Sequence, residues 1–378
     1  MSRRGRSTTS LRLGRIMGIP ITIHYTMWFV FLLIAWSLAS SMPLQYPGLS
    51  TVAYWGIGIV SAAVLFASVL VHELAHSYIA KKNGLRIARI TLFFFGGVSE
   101  MTEEPRDPGL EVRMAAAGPL TSFLTALALG LGWFLGNLGH APIAVMLVLQ
   151  YGALINAILG VFNLLPAFPV DGGRVLRGLI WKRSKNFLRA TTTATRVSEA
   201  LSLLMIGGGL VLAVFGQFLN GIWMVFLGWF IRSGAETGLR QTVMEETLSG
   251  MKVERIMTRD VLTVPPDISV QQLVADYFLI HPHGGYPVVA EGQILGVVTL
   301  QCARSVPKEK RETTTVREAM IPCERAVMIN PSTSALEAMN LMARENVGRV
   351  LVVEGNRLVG ILTRGDVMRT IQTRQELG

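Results

Sequence analysis

From Ile16 to Ala80 the chain carries a single charged side chain, Glu73. No other feature restricts the fold as much. A run of that length with no Asp, Lys or Arg cannot form the solvated shell of a water-soluble domain, where charged residues are spread throughout. It is long enough for two helices of about 20 residues, each crossing a hydrocarbon core of about 30 Å. The run divides into expected spans at about 19–41 and 52–80, and further charge-free runs follow at about 114–136, 141–166, 200–216 and 218–231. The composition points the same way, with 51% hydrophobic and 16% charged residues in 378 and a mean hydropathy of +0.45. The expected fold is therefore a polytopic α-helical membrane domain of six transmembrane helices followed by a polar α/β tail.

The basic residues fix an expected orientation. They occupy the N-terminal stretch (Arg3, Arg4, Arg6, Arg12, Arg15), the segment KKNGLRIAR at 81–89, RVLRGLIWKRSKNFLR at 174–189, and Arg232 after the last run. The alternate connections at 42–50, 137–140 and 217–220 contain none. By the positive-inside rule both termini are expected in the cytosol, in a multi-pass protein of the cell membrane. The first apolar run lacks a small-residue cleavage signature, so it is expected to be an anchor helix and not a removed signal peptide. Cys302 and Cys323 both lie in the polar C-terminal third, which suggests no disulfide framework and fits a reducing compartment.

Glu73 lies in the pattern His72-Glu73-Leu74-Ala75-His76. On a helix the two histidines sit about one turn apart on one face, close enough to share a metal ion, with Glu73 beside them as a base. An ionisable group at membrane depth is costly, which favours a functional reading over histidines merely hydrogen-bonded in a bundle. Two histidines do not complete a catalytic zinc site, which usually has three protein ligands and one open position. Asp171, in NLLPAFPVDGGR at 163–174, is the favoured third ligand, since the expected topology puts it at the same end of the bundle. His24, near the start of the first span, is the rival. Asn163 is a candidate donor to a substrate carbonyl or oxyanion, or else an ordinary interhelical hydrogen bond. Between the second and third spans, RITLFFFGGVSEM alternates at Thr91, Phe93 and Phe95 before Gly96-Gly97. This reads as a short strand or hairpin with a turn at the glycines, whose open edge suits an extended peptide, or as an aromatic anchor in the headgroups.

After Arg232 the chain turns polar. A linker over 241–252 leads to a repeat of about 64 residues, in which Met257 matches Met320, Pro266 matches Pro331 and Gly296 matches Gly360. Each copy reads strand, helix, strand, turn, strand, helix, a repeated small α/β module.

HELAH, NLLPAFPVDGGR and the GIPITIH of residues 18–24 together resemble the site-2 protease family of intramembrane zinc metallopeptidases, over about residues 11–240. The tail resembles a pair of cystathionine-β-synthase (CBS) domains. The resemblance implies one zinc per chain on His72, His76 and Asp171, Glu73 as base, and a single-span membrane protein as substrate, held unwound by the strand at 91–98. Expected boundaries are a basic tail at 1–16, the peptidase domain at 17–240, the linker at 241–252, and CBS modules at 253–307 and 316–373. The second module's GILTRGD resembles the ribose-phosphate pattern of nucleotide-binding CBS modules, with Thr363 at phosphate and Asp366 at ribose. In the first module GVVTLQC keeps Thr299, but Cys302 replaces the aspartate and cannot accept two strong hydrogen bonds. One competent adenine nucleotide site per pair is therefore expected. The tail's other expected roles are to form a homodimer through the CBS pairs or to tether substrate, and no nucleic-acid partner is expected. A transporter coupled to a CBS pair is disfavoured because the outer halves of the spans carry no ionisable series, and a dead scaffold because Glu73 is intact.

Overall fold

The computed structural model describes residues 10–377 except 95, 102–104, 106, 282 and 356, so Arg3, Arg4, Arg6 and Phe95 of the sequence reading lie outside the described residues. The chain divides into two compact units, residues 1–240 and 241–378.

The first unit is a helical bundle with a small sheet. Its strands are β1 (Ser10–Ile16), β2 (Ile19–His24), β3 (Ile87–Phe93) and β4 (Gly96–Met101). Its helices are α1 (Thr26–Gln45), α2 (Thr51–Lys82), α3 (Pro108–Leu138), α4 (Ile143–Asn163), α5 (Asp171–Ser184), α6 (Phe187–Val214) and α7 (Phe218–Leu248), of which residues 241–248 fall in the second unit. Five of these, α1 to α4 and α6, are long and apolar enough to cross a membrane. Only 17% to 39% of each apolar window is buried in the protein, so the outward faces are themselves apolar and call for lipid. On α1, for example, Trp28, Phe29, Leu32 and Trp36 all face outward.

The sheet corrects the sequence reading in two places. Residues 19–24, read as the start of the first span, form β2, antiparallel to β1 and parallel to β3. A short apolar run is equally compatible with a buried strand or a helix, and Ile19, Ile21 and Ile23 take the buried side of a strand. The hairpin expected near 89–101 does form, but its turn precedes Gly96 and Gly97, which belong to β4. In the order β1-β2-β3-β4, strand β4 is an edge.

The basic segment at 174–189 is not a loop. It is α5 plus the first turn of α6, and the 200–216 run is only the latter part of α6. α7 continues the 218–231 run to Leu248, so residues 241–248 of the expected linker are helical.

The second unit contains α8 (Val270–Leu273), β5 (Gly285–Ala290), β6 (Gln293–Thr299), α9 (Leu300–Ser305), α10 (Val316–Ala319), β7 (Ile321–Pro322), β8 (Met328–Ile329), α11 (Ala335–Arg344), β9 (Arg349–Glu354), β10 (Arg357–Thr363) and α12 (Arg364–Leu377). Two three-stranded sheets, β5-β6-β7 and β10-β9-β8, reproduce the repeat. The modules exchange their leading segments. Leu248 and Val253 pack with Val350, Val352 and Leu362 in the core of the second repeat, and Thr258 pairs with Ile361. The start of the first repeat thus completes the second, and each such buried apolar side chain is worth about 1.5–3 kcal/mol.

Candidate metal centre

α2 and α3 build one wall of the site by register alone. His72 and His76 lie one turn apart on α2, and Met114, Gly118 and Ser122 lie one turn apart on the facing side of α3. His76 Nδ1 donates to the Met114 carbonyl at 2.7 Å, and His72 Nδ1 bonds Ser122 Oγ at 2.9 Å. A carbonyl only accepts, so the proton of His76 is fixed on Nδ1 and its Nε2 lone pair is turned inward, as metal-ligating histidines require. Between these two contacts sits Gly118. A Cβ there would collide with Nε2 of both histidines, so the glycine keeps open the space they address.

α5 supplies the third group. Asp171 is its first residue, and Gly172 and Gly173 pack directly on the backbone of Leu164, Leu165 and Ala167. Side chains at either position would push the loop away, so the glycine pair is what lets the turn after α4 fold tightly enough to aim Asp171 inward. The loop is pinned from behind by Ser198 Oγ, which accepts from Phe168 N at 2.9 Å, and by Gly234 against Pro169. Asp171 Oδ2 comes 3.0 Å from His72 Nε2 and 3.1 Å from His76 Nε2.

This donor set fits zinc. Two imidazole nitrogens and one carboxylate oxygen lie within 4.8 Å of one another. Ligands bonded at about 2.0–2.1 Å around a tetrahedral ion stand roughly 3.3 Å apart, and the two spacings from Asp171 Oδ2 to the histidines, 3.0 and 3.1 Å, are close to that. Both histidines also have the partner on their other nitrogen that such a site needs. His24, the rival, is not brought in; its Nδ1 bonds Thr26 Oγ1 at 2.8 Å at the start of α1.

Glu73 faces a cavity of about 440 Å³ lined also by His72, His76, Asp171, Asn163 and Arg174. β4 closes over it. Residues two apart on a strand share a face, and both Gly97 and Ser99 meet Glu73: a Cβ on Gly97 would strike its Cγ, while Ser99 Oγ donates to Oε2 at 2.9 Å. Asn163 lines the cavity; its Nδ2 donates to Leu159 O of its own helix at 2.9 Å, and it makes no interhelical hydrogen bond among the described residues. Sequence reasoning missed Gly97, Ser99, Gly118, Ser122 and Arg174.

In the second unit, Thr363 N and Oγ1 donate to Asp366 Oδ2 at 2.9 and 2.6 Å, and Asp366 N donates back to Thr363 Oγ1 at 3.2 Å. Thr299 makes the matching turn with Cys302, accepting from Cys302 N at 3.2 Å. The two modules share a backbone turn and differ in the acceptor it presents.

The peptidase family M50 model matches residues 60–138 and 139–206, and the CBS domain model matches 253–304 and 312–373. Rip3 of Mycobacterium tuberculosis, which is named as a zinc metalloprotease, is 35% identical over 96% of this chain and 93% of its own. The chain belongs to peptidase family M50, the site-2 proteases. The M50 chain is also 34% identical to the zinc metalloprotease MJ0392 of Methanocaldococcus jannaschii, over 97% of this chain and 98% of that one. The solved site-2 protease of M. jannaschii is 34% identical and covers 60% of this chain and 94% of its own, with a TM-score of 0.42. Membership makes this protein a membrane-bound zinc metalloprotease carrying a CBS pair.

Proposed function

We propose that this M50 protein hydrolyses peptide bonds within or near the transmembrane segment of a single-span membrane protein, with zinc held by His72, His76 and Asp171 and with Glu73 as the proton carrier. The observation that supports this most is the convergence of Asp171 Oδ2 on both Nε2 atoms beside a cavity that Glu73 lines. Zinc in this position supplies Lewis acidity, which lowers the pKa of water toward about 7. Glu73 takes the proton that water loses as its oxygen attacks the carbonyl carbon, then delivers it to the departing amide nitrogen. Ser99 holds the Glu73 carboxylate in place, and Asn163 is placed at the cavity wall to meet the substrate backbone.

A transmembrane helix hides its amides in internal hydrogen bonds, so it has to unwind before it can be cut. The edge strand β4, beside Glu73, offers replacement main-chain partners. In the membrane, α7 is the sixth span, both termini and the CBS pair are cytosolic, and the site lies toward the cytosolic end of α2. The basic residues at 81–89 and 174–189, with none at 42–50, 137–140 or 217–220, support this orientation. The CBS pair binds one adenine nucleotide at Thr363 and Asp366 and adjusts access to the site, with dimerisation through the pair as its second role.

The test is Glu73→Gln in purified protein. Zinc content should stay at about one per chain while cleavage of a model transmembrane substrate is lost, and full activity in this variant would remove Glu73 from the mechanism.

A further inference from the structure

Arg174 is unlike the other cations of the first unit. It lies on α5 one turn after Asp171, is half-buried, and lines the same cavity as Glu73, His72 and His76. It is the one Lys or Arg among the described lining residues. Arg177, a turn further on, is fully engaged with Glu111, but among the described residues the Arg174 side chain makes no hydrogen bond and no ion pair. The cavity that it lines has apolar side chains in its wall, among them Leu159, Phe162, Pro169 and Phe230.

A guanidinium carries five N–H donors in a planar fork. Holding it half-desolvated against apolar side chains is costly unless an anion meets it. Of the carboxylates that line the cavity, Asp171 faces the histidines through Oδ2 and Glu73 accepts from Ser99 through Oε2, and among the described residues neither pairs with Arg174.

The reaction itself produces the missing anion. When an amide is hydrolysed, the water oxygen bonds to the carbonyl carbon, the C–N bond breaks, and the water protons end on the amine and the solvent. The acyl half then leaves as a carboxylate. We infer that Arg174 binds the new C-terminal carboxylate of the cleaved substrate, pairing its two oxygens with the guanidinium fork, and this inference rests on the peptidase reading above. Before cleavage the same donors face the carbonyl oxygen that becomes part of that carboxylate. Lysine would keep the charge but lose the two-point match.

The experiment uses full-length protein in detergent at pH 8, stripped of zinc with a chelator so that the metal makes no contribution. Two fluorescent apolar peptides of one sequence are titrated by anisotropy, one ending in a free carboxylate and the other in an amide. The unmodified protein should bind the acid about tenfold or more tighter than the amide. Arg174→Gln should bring that ratio to about one and Arg174→Lys should leave part of it, with the zinc content of the reloaded variants unchanged. Equal binding of acid and amide by the unmodified protein overturns the inference without any variant having to fold, as does a full preference surviving in Arg174→Gln. A carboxylate preference in a protein that cleaves nothing when reloaded would uphold Arg174 and sink the peptidase reading, whereas cleavage without the preference would do the reverse.

Discussion

A methyl group at Gly118 would occupy the space between His72 Nε2 and His76 Nε2. Gly118→Ala should therefore separate folding from metal binding. The histidine rings can swing aside, so the bundle should assemble, but they cannot then converge on one ion. Zinc measured by elemental analysis should fall from about one per chain to well below that, with helical circular dichroism unchanged. A full complement of zinc in Gly118→Ala would show that the ion sits elsewhere. That His72, Glu73, His76 and Asp171 come together was legible in the sequence, because each is chemically rare in an apolar run and the first three are fixed by helical spacing. Gly118, Ser122 and Ser99 were not. Small residues are common in membrane helices, and their role arises only from the register of α3 and β4 against α2, which no local pattern encodes.

At the scale of elements, the position of Asp171 depends on how α5 is held. Arg177 is 6% exposed and Glu111 1%, and Arg177 Nε donates to Glu111 Oε1 of α3 at 2.7 Å. The guanidinium also lies over the rings of Phe168 and Phe187, 5.3 and 4.7 Å from their centroids. The pair thus fastens α5, which carries Asp171, to the helix that orients both histidines. Removing one partner of a buried pair is destabilising, whereas replacing both partners by apolar groups costs much less. Arg177→Met should lower the melting temperature in detergent and weaken zinc retention during dialysis, and the double variant Arg177→Met with Glu111→Leu should recover much of the melting temperature. Equal melting of the single variant and the unmodified protein would remove the clamp from the account. In the sequence Arg177 belonged to a basic segment and read as a topology signal, because its partner is far away along the chain. β2 was hidden for a different reason: it carries no charge and runs directly on into the apolar residues of α1, so the alternation of Ile19, Ile21 and Ile23 was absorbed into the expected span.

At the scale of the molecule, the repeat was legible from its spacing, but the exchange of leading segments was not, and this exchange decides how the tail can be tested. Met244, Leu248 and Val253 contribute to the core closed by Val350, Val352 and Leu362, so a fragment beginning at residue 250 would lose part of its own interior. A fragment of residues 241–378 retains it and should fold cooperatively. Within that unit, Thr363 and Asp366 form a closed turn in which Asp366 Oδ2 accepts twice, leaving the other carboxylate oxygen for a ribose hydroxyl. The equivalent turn ends in the Cys302 thiol, a weak partner. Titration calorimetry of fragment 241–378 with AMP, ADP and ATP should give about one site per chain for at least one of them. Asp366→Ala should abolish that site, and Cys302→Asp should move the stoichiometry toward two. If the nucleotide also adjusts the peptidase, the full-length protein should bind it with an affinity that changes when an unwound substrate peptide saturates Glu73→Gln. Coupling of this kind is reciprocal and typically amounts to about 1–3 kcal/mol, or 5- to 150-fold. Absence of heat with all three nucleotides would end the sensing proposal, and equal affinity with and without the peptide would leave a nucleotide site that does not regulate.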